Sequence, residues 1–133
     1  MVKIGYLRFM KPLVDELFNT VSGIVLINAT PAKVTKNGEL IFVVRGGTSG
    51  ICGCALKNYG LNAVRKLIKL IENIDYDFKT VVGVGGILDT KTAIKYLNLG
   101  VDAIEIGTGA MYDPCLPLKI KKRLLEGKIK KSC

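Results

Sequence analysis

Gly85 and Gly86, in the stretch TVVGVGGI, and Gly107 with Thr108, in IEIGTG, close two β-branched runs that are separated by a single helical stretch. A phosphate monoester is held by several backbone N–H donors converging on it. Side chains larger than hydrogen block that approach or forbid the dihedrals it needs. Helical periodicity follows both loops, so helix N-termini would add favourable dipole ends. Either loop alone reads equally well as a tight strand-to-helix turn, and it is the pair that favours an anion site. The spacing fits neither a P-loop, which needs a Lys-Ser/Thr pair after its last glycine, nor G-x-G-x-x-G, since Ile87 and Leu88 follow Gly86.

Other chemistries are narrowed by what the chain lacks. It contains no histidine, which excludes a Ser-His or Cys-His nucleophile pair within the chain and leaves an ordinary zinc site poorly supported. Cys52, Cys54, Cys115 and Cys133 form no C-x-x-C spacing and read as reduced cytosolic thiols. Much of the net charge of +9 sits in KIKKRLLEGKIKK, where lysines interleave with leucine and isoleucine as on an amphipathic helix with a solvated basic face. Nucleic acid is therefore not the expected partner, whereas a small anionic ligand suits the balance. The apolar runs are too short to cross a bilayer, and the N-terminus lacks a signal-peptide pattern, so a cytoplasmic protein without membrane contact is expected.

The elements that must position the glycines follow from periodicity. At 133 residues and 49% hydrophobic content, a single domain over residues 1–133 is expected. After the first glycine loop, DTKTAIKYLNLG reads as a helix capped by Asp89, lined by Ala93, Ile94 and Leu97 and ended at Gly100. VDAIEIG is the next strand, and the basic helix follows. Upstream, a helix over Lys11–Val21 precedes the strand GIVLINA, and a second helix covers Asn62–Asn73. ELIFVV reads either as a strand or as one arm of a hairpin leading into RGGTSGICG. Four or five buried strands alternating with helices predict an α/β fold with a parallel sheet. Loops after the last two strands of a (β/α) barrel often form a phosphate site of this kind.

The stretch VVGVGGILDTKTAIKYLNLGVDAIEIGTGAMYDP closely resembles the end of the barrel in the dihydroorotate dehydrogenase family, with its G-x-G-G-[IV] loop and its G-A-x-x-[VI]-[QE]-[VI]-G-T strand. The resemblance extends back through GGTSG, VLINAT and VKI, and covers practically the whole chain. It implies the C-terminal half of a TIM (β/α)8 barrel, about four βα units. It also implies an FMN-dependent oxidoreductase that oxidises dihydroorotate to orotate in pyrimidine biosynthesis.

By that resemblance Gly85, Gly86, Gly107 and Thr108 hold the FMN phosphate, and Gly50 approaches the flavin with the Ile27 backbone nearby. Lys3 lies by the flavin ring and Asn28 hydrogen-bonds the pyrimidine substrate. Lys3 also reads as a plain surface lysine, and Asn28 as a strand-end turn residue.

Three departures from the family pattern matter. Ala29 replaces a hydroxyl residue after the asparagine, GYLRF follows the lysine without the usual proline, and GICGCALKNYG is longer than the family's G-x-A-[IL]-K-P segment. The family's general base, a cysteine or serine of the first half-barrel, has no counterpart, so catalytic residues are assigned to none. The expectation is a shortened chain, inactive alone, whose open sheet edges are covered by a separate N-terminal half-barrel or by self-association. A non-catalytic phosphate- or FMN-binding module, or a relative of the dihydropyrimidine dehydrogenases, remains the alternative.

Overall fold

Near-continuous Val, Ile and Leu suit strands that are covered on both faces, and four such runs make the main sheet, buried throughout at Gly23–Leu26 and partly exposed toward the edges. The computed structural model describes residues 1–5, 10–17, 20–41, 47–73 and 80–129. It runs β1 (Val2–Ile4), α1 (Met10–Leu17), β2 (Gly23–Leu26), β3 (Thr30–Lys33), β4 (Thr35–Lys36), β5 (Glu39–Leu40), β6 (Thr48–Ile51), α2 (Lys57–Asn73), β7 (Thr80–Val84), α3 (Thr90–Leu97), β8 (Ala103–Glu105), α4 (Thr108–Tyr112) and α5 (Leu116–Ile129). One turn of 3-10 helix, Gly53–Leu56, leads into α2.

The main sheet is wholly parallel, in the order β1-β2-β7-β8. This is the expected α/β class, with four strands that each lead into a helix. β3 with β6, and β4 with β5, form two small antiparallel pairs between β2 and α2. The β4–β5 turn is Asn37-Gly38, with both residues at positive φ (55° and 86°). That geometry matches the strand twist of a two-residue hairpin. Glu39–Leu40 is thus one arm of a hairpin, Ile41 lies just past it, and the rest of ELIFVV, residues 42–44, lies outside the described residues.

Register sorts the side chains into two faces. Ile24 and Val81, and then Leu26, Gly83 and Ile104, point to the helices. There Ile24, Leu26 and Val81 pack with Val64 and Leu67 of α2 and Ala93 and Tyr96 of α3. Each such side chain contributes roughly 1.5–3 kcal/mol by leaving water. On the other face Lys3, Val25, Val82 and Ala103 form one cross-strand row, with Val84 and Glu105 two residues further on.

Burial follows position in the sheet: all four β2 residues are buried, whereas Ala103 and Glu105 of β8 are exposed. The Lys3 ammonium nevertheless meets the Glu105 carboxylate at 2.7 Å, from the first strand to the last. In a flat sheet, three strand spacings would set those strands about 14 Å apart. The sheet is therefore curled, with Lys3 and Glu105 on its concave side.

Helix boundaries depart from expectation in ways that carry meaning. α2 begins at Lys57 rather than Asn62, because Gly60, which reads as a breaker in sequence, is buried inside the helix beneath Tyr96. α1 is described over Met10–Leu17 of the expected Lys11–Val21, and Thr20 and Val21, outside the helix, both donate their N–H groups to the Leu17 carbonyl. Among the α5 residues whose side chains are described, only Leu116 and Ile120 are buried, while Leu118, Leu124 and Leu125 are exposed beside the basic residues. The apolar side of that helix is only partly covered.

Candidate phosphate and cofactor site

The carboxyl ends of the parallel strands open into one cavity of about 360 Å³. Its wall comes from four places: Lys3 of β1; Ile27, Asn28 and Ala29 after β2; Val84 to Leu88 after β7; and Glu105 to Gly109 after β8, with Cys52, Gly53 and Leu56 closing one side. That size sits at the lower end of small-molecule sites.

The two glycine loops share this cavity, as the spacing of Gly85, Gly86, Gly107 and Thr108 requires of a single anion site. Gly85 (φ 119°) and Gly86 (φ 68°) hold conformations that side-chain-bearing residues rarely adopt. A Cβ on Gly86 would also overlap the Lys57 backbone. Among the described residues, the N–H groups of Gly86, Gly107 and Thr108 meet no carbonyl, so they remain free as donors.

The helix ends behave less simply than expected. The Asp89 carboxylate accepts from the Thr92 N–H at 2.6 Å, which holds the acid below the usual carboxylate range. α3 therefore spends one of its N-terminal donors, the Thr92 N–H, on its own cap. Asp89 is not in the cavity wall.

Lys3 and Asn28 both reach the wall. Lys3 is not free there, because it is paired with Glu105, a residue that drew no role from the sequence although it lies in the [QE] position of the motif. The Asn28 N–H donates to the Ile4 carbonyl, fixing the strand end and leaving the side chain exposed at the cavity. The Ile27 N–H donates to the Val84 carbonyl at 2.9 Å and so ties the β2 and β7 loops together.

Gly50 departs from expectation. It sits within β6 opposite Pro31 and is not part of the wall. Gly53 (φ 72°) takes the place beside Thr108 instead. The signal was available: Gly53-Cys54-Ala55-Leu56-Lys57 itself fits G-x-A-[IL]-K, which places the three extra residues ahead of Gly53.

Behind the β7 loop stands Tyr96, fully buried, and its hydroxyl donates to the Gly85 carbonyl at 2.8 Å and lies 3.4 Å from that of Val84. Burial pushes this phenol up to about 12, so it remains a neutral donor.

A curled, wholly parallel βα sheet whose strand ends open into one cavity is the arrangement of a barrel-type fold. A sequence model of dihydroorotate dehydrogenase matches residues 11–127, and the chain belongs to that family. It is 30% identical, over 97% of its length and 47% of the relative's, to the catalytic subunit of dihydroorotate dehydrogenase B (NAD(+)) of Thermodesulfovibrio yellowstonii. It is 29% identical, over 89% of its length and 33% of the relative's, to the dihydroorotate dehydrogenase of Dictyostelium discoideum. The fold is similar to that of the ligand-free DHODH of Eimeria tenella, with a TM-score of 0.70 and 22% identity over 94% of this chain and 34% of that one. The chain thus spans less than half the length of these relatives.

Proposed function

We propose that the cavity binds FMN through its phosphate, and that the chain forms the cofactor-holding part of a dihydroorotate dehydrogenase acting in pyrimidine biosynthesis. The observation that carries this reading is the set of free N–H donors on Gly86, Gly107 and Thr108 around one cavity at the strand ends. Bound FMN would supply the hydride-accepting chemistry for oxidising dihydroorotate to orotate. Gly85 and Gly86 would supply backbone room for the phosphate, with Gly107 and Thr108 opposite. Gly53 takes the place first assigned to Gly50. Lys3 would offer its ammonium toward the ring, and Asn28 its amide toward the pyrimidine's carbonyl and N–H groups.

The two outer strand edges, of β1 and β8, are unpaired among the described residues. With relatives more than twice as long, this supports a further βα half, from another polypeptide segment or a second copy, completing the barrel. The exposed, unpaired thiols of Cys52, Cys54 and Cys115 suit a reducing cytoplasm. Among the described residues no helix is long and apolar enough to cross a membrane.

Titration of the purified chain with FMN, riboflavin and inorganic phosphate tests the reading. FMN is expected to bind more tightly than riboflavin and to be displaced by phosphate; equal affinities with no displacement would overturn it. Ala29, at the cavity wall where the family pattern has a hydroxyl residue, favours a second reading in which the site binds the cofactor without turnover. Bleaching of flavin absorbance on adding dihydroorotate, once the barrel is completed, would reject that alternative.

A further inference from the structure

Tyr96 does not line the cavity, yet it is bonded to the loop that does. Two glycines in different elements make room for it. A Cβ at Gly60 within α2 would overlap its hydroxyl, and one at Gly83 within β7 would crowd its ring. Glycine inside a helix costs about 1 kcal/mol relative to alanine, and inside a strand it also weakens pairing. A phenylalanine would fill the same apolar space without a hydroxyl that needs a partner, so the hydroxyl calls for its own explanation.

The explanation lies in the peptide it holds. The Gly85–Gly86 bond is trans, since the sole cis bond among the described residues is Leu26–Ile27. In a trans peptide the C=O and N–H point to opposite sides. Tyr96 holds the Gly85 carbonyl on the α3 side, so the Gly86 N–H points to the opposite side of the peptide, and Gly86 itself lines the cavity. Glycine on both sides of this peptide leaves the plane free to turn, because neither residue carries a Cβ to oppose it. Without an anchor, only part of the population would present the donor.

We propose that Tyr96 is a positioning residue: its hydroxyl locks the Gly85–Gly86 peptide plane in the orientation that offers the Gly86 N–H to a bound phosphate. This rests on the FMN reading above and adds the residue that sets how well the phosphate is recognised. Acting on the phosphate alone, Tyr96 affects discrimination between ligands with and without that group, whereas a purely structural role would lower stability and leave discrimination intact.

The test is the ratio of FMN to riboflavin affinity in the full chain and in Tyr96→Phe, with thermal melting measured alongside. Losing one well-aimed donor is expected to reduce that ratio about tenfold, the equivalent of one hydrogen bond to a charged group. Broadening of the Gly86 amide resonance in ligand-free Tyr96→Phe would support the lock directly. Gly60→Ala, which crowds the hydroxyl while keeping the ring, should reproduce the lowered ratio and serves if Tyr96→Phe does not fold. A wild-type chain that prefers FMN alongside a folded variant with the same preference overturns the role of Tyr96 and leaves the FMN reading standing. A wild-type chain that binds FMN and riboflavin equally overturns both.

Discussion

At the scale of single residues, the cavity combines donors fixed by the backbone with one ion pair. Glu105 places a negative charge in the wall of the proposed FMN site, and it occupies Lys3. Glu105→Gln should therefore tighten FMN binding by about two- to fivefold at low salt, in keeping with the modest worth of an exposed pair. The gain should shrink as ionic strength rises, and fluorescence titration at two salt concentrations would check it. That the two glycine loops would meet at one cavity was legible, because their spacing by one βα unit sets them at neighbouring strand ends. Gly53, Glu105 and Tyr96 were harder to see. Gly53 was hidden by three extra residues in its loop, Glu105 by a cross-sheet contact that no spacing rule reveals, and Tyr96 because an aromatic residue on a helix face looks like ordinary core.

At the scale of elements, α3 is the support on which the β7 loop rests. Hydrogen bonding from the Thr92 N–H lowers the pKa of Asp89 from its ordinary value of 3.8, so the ionised acid favours the folded state. The sign follows from linkage: the contribution is present above the unfolded value near 3.8 and is lost as pH falls through the lower folded value. Thermal melts of Asp89→Ala should show a loss of about 1 kcal/mol at pH 6. The gap to wild type should close toward pH 3, while Asp89→Asn should keep most of the cap at every pH. Asp89 and Gly100 marked both ends of this helix in sequence, since capping chemistry is local. The start of α2 was misjudged because Gly60 answers to a distant hydroxyl rather than to helix propensity. The Asn37-Gly38 hairpin was overlooked although its turn signal is itself local, the surrounding region having no clear periodicity.

At the scale of the whole molecule, four strands and their helices make an arc whose two edges are unpaired among the described residues. Met111 and Tyr112 of α4 are 84% and 83% exposed, and Leu118 and Leu125 of α5 add further apolar surface beyond β8. If another βα half closes the barrel across this side, Tyr112→Glu with Leu118→Glu should leave the stability of the chain alone within about 0.5 kcal/mol. The same pair should abolish association, measured by analytical ultracentrifugation. Loss of stability without loss of association would point to a different use of this surface. The parallel order of the sheet was legible from runs of buried aliphatics between helices, but how far it curls was not, because curvature depends on side chains meeting across the arc. Lys3 and Glu105 join the ends of that arc as a taut string joins the tips of a bow. That string is weak and lies in solvent, so added salt would slacken it while the strand ladders keep the bow bent, and its pull would be felt most at low ionic strength.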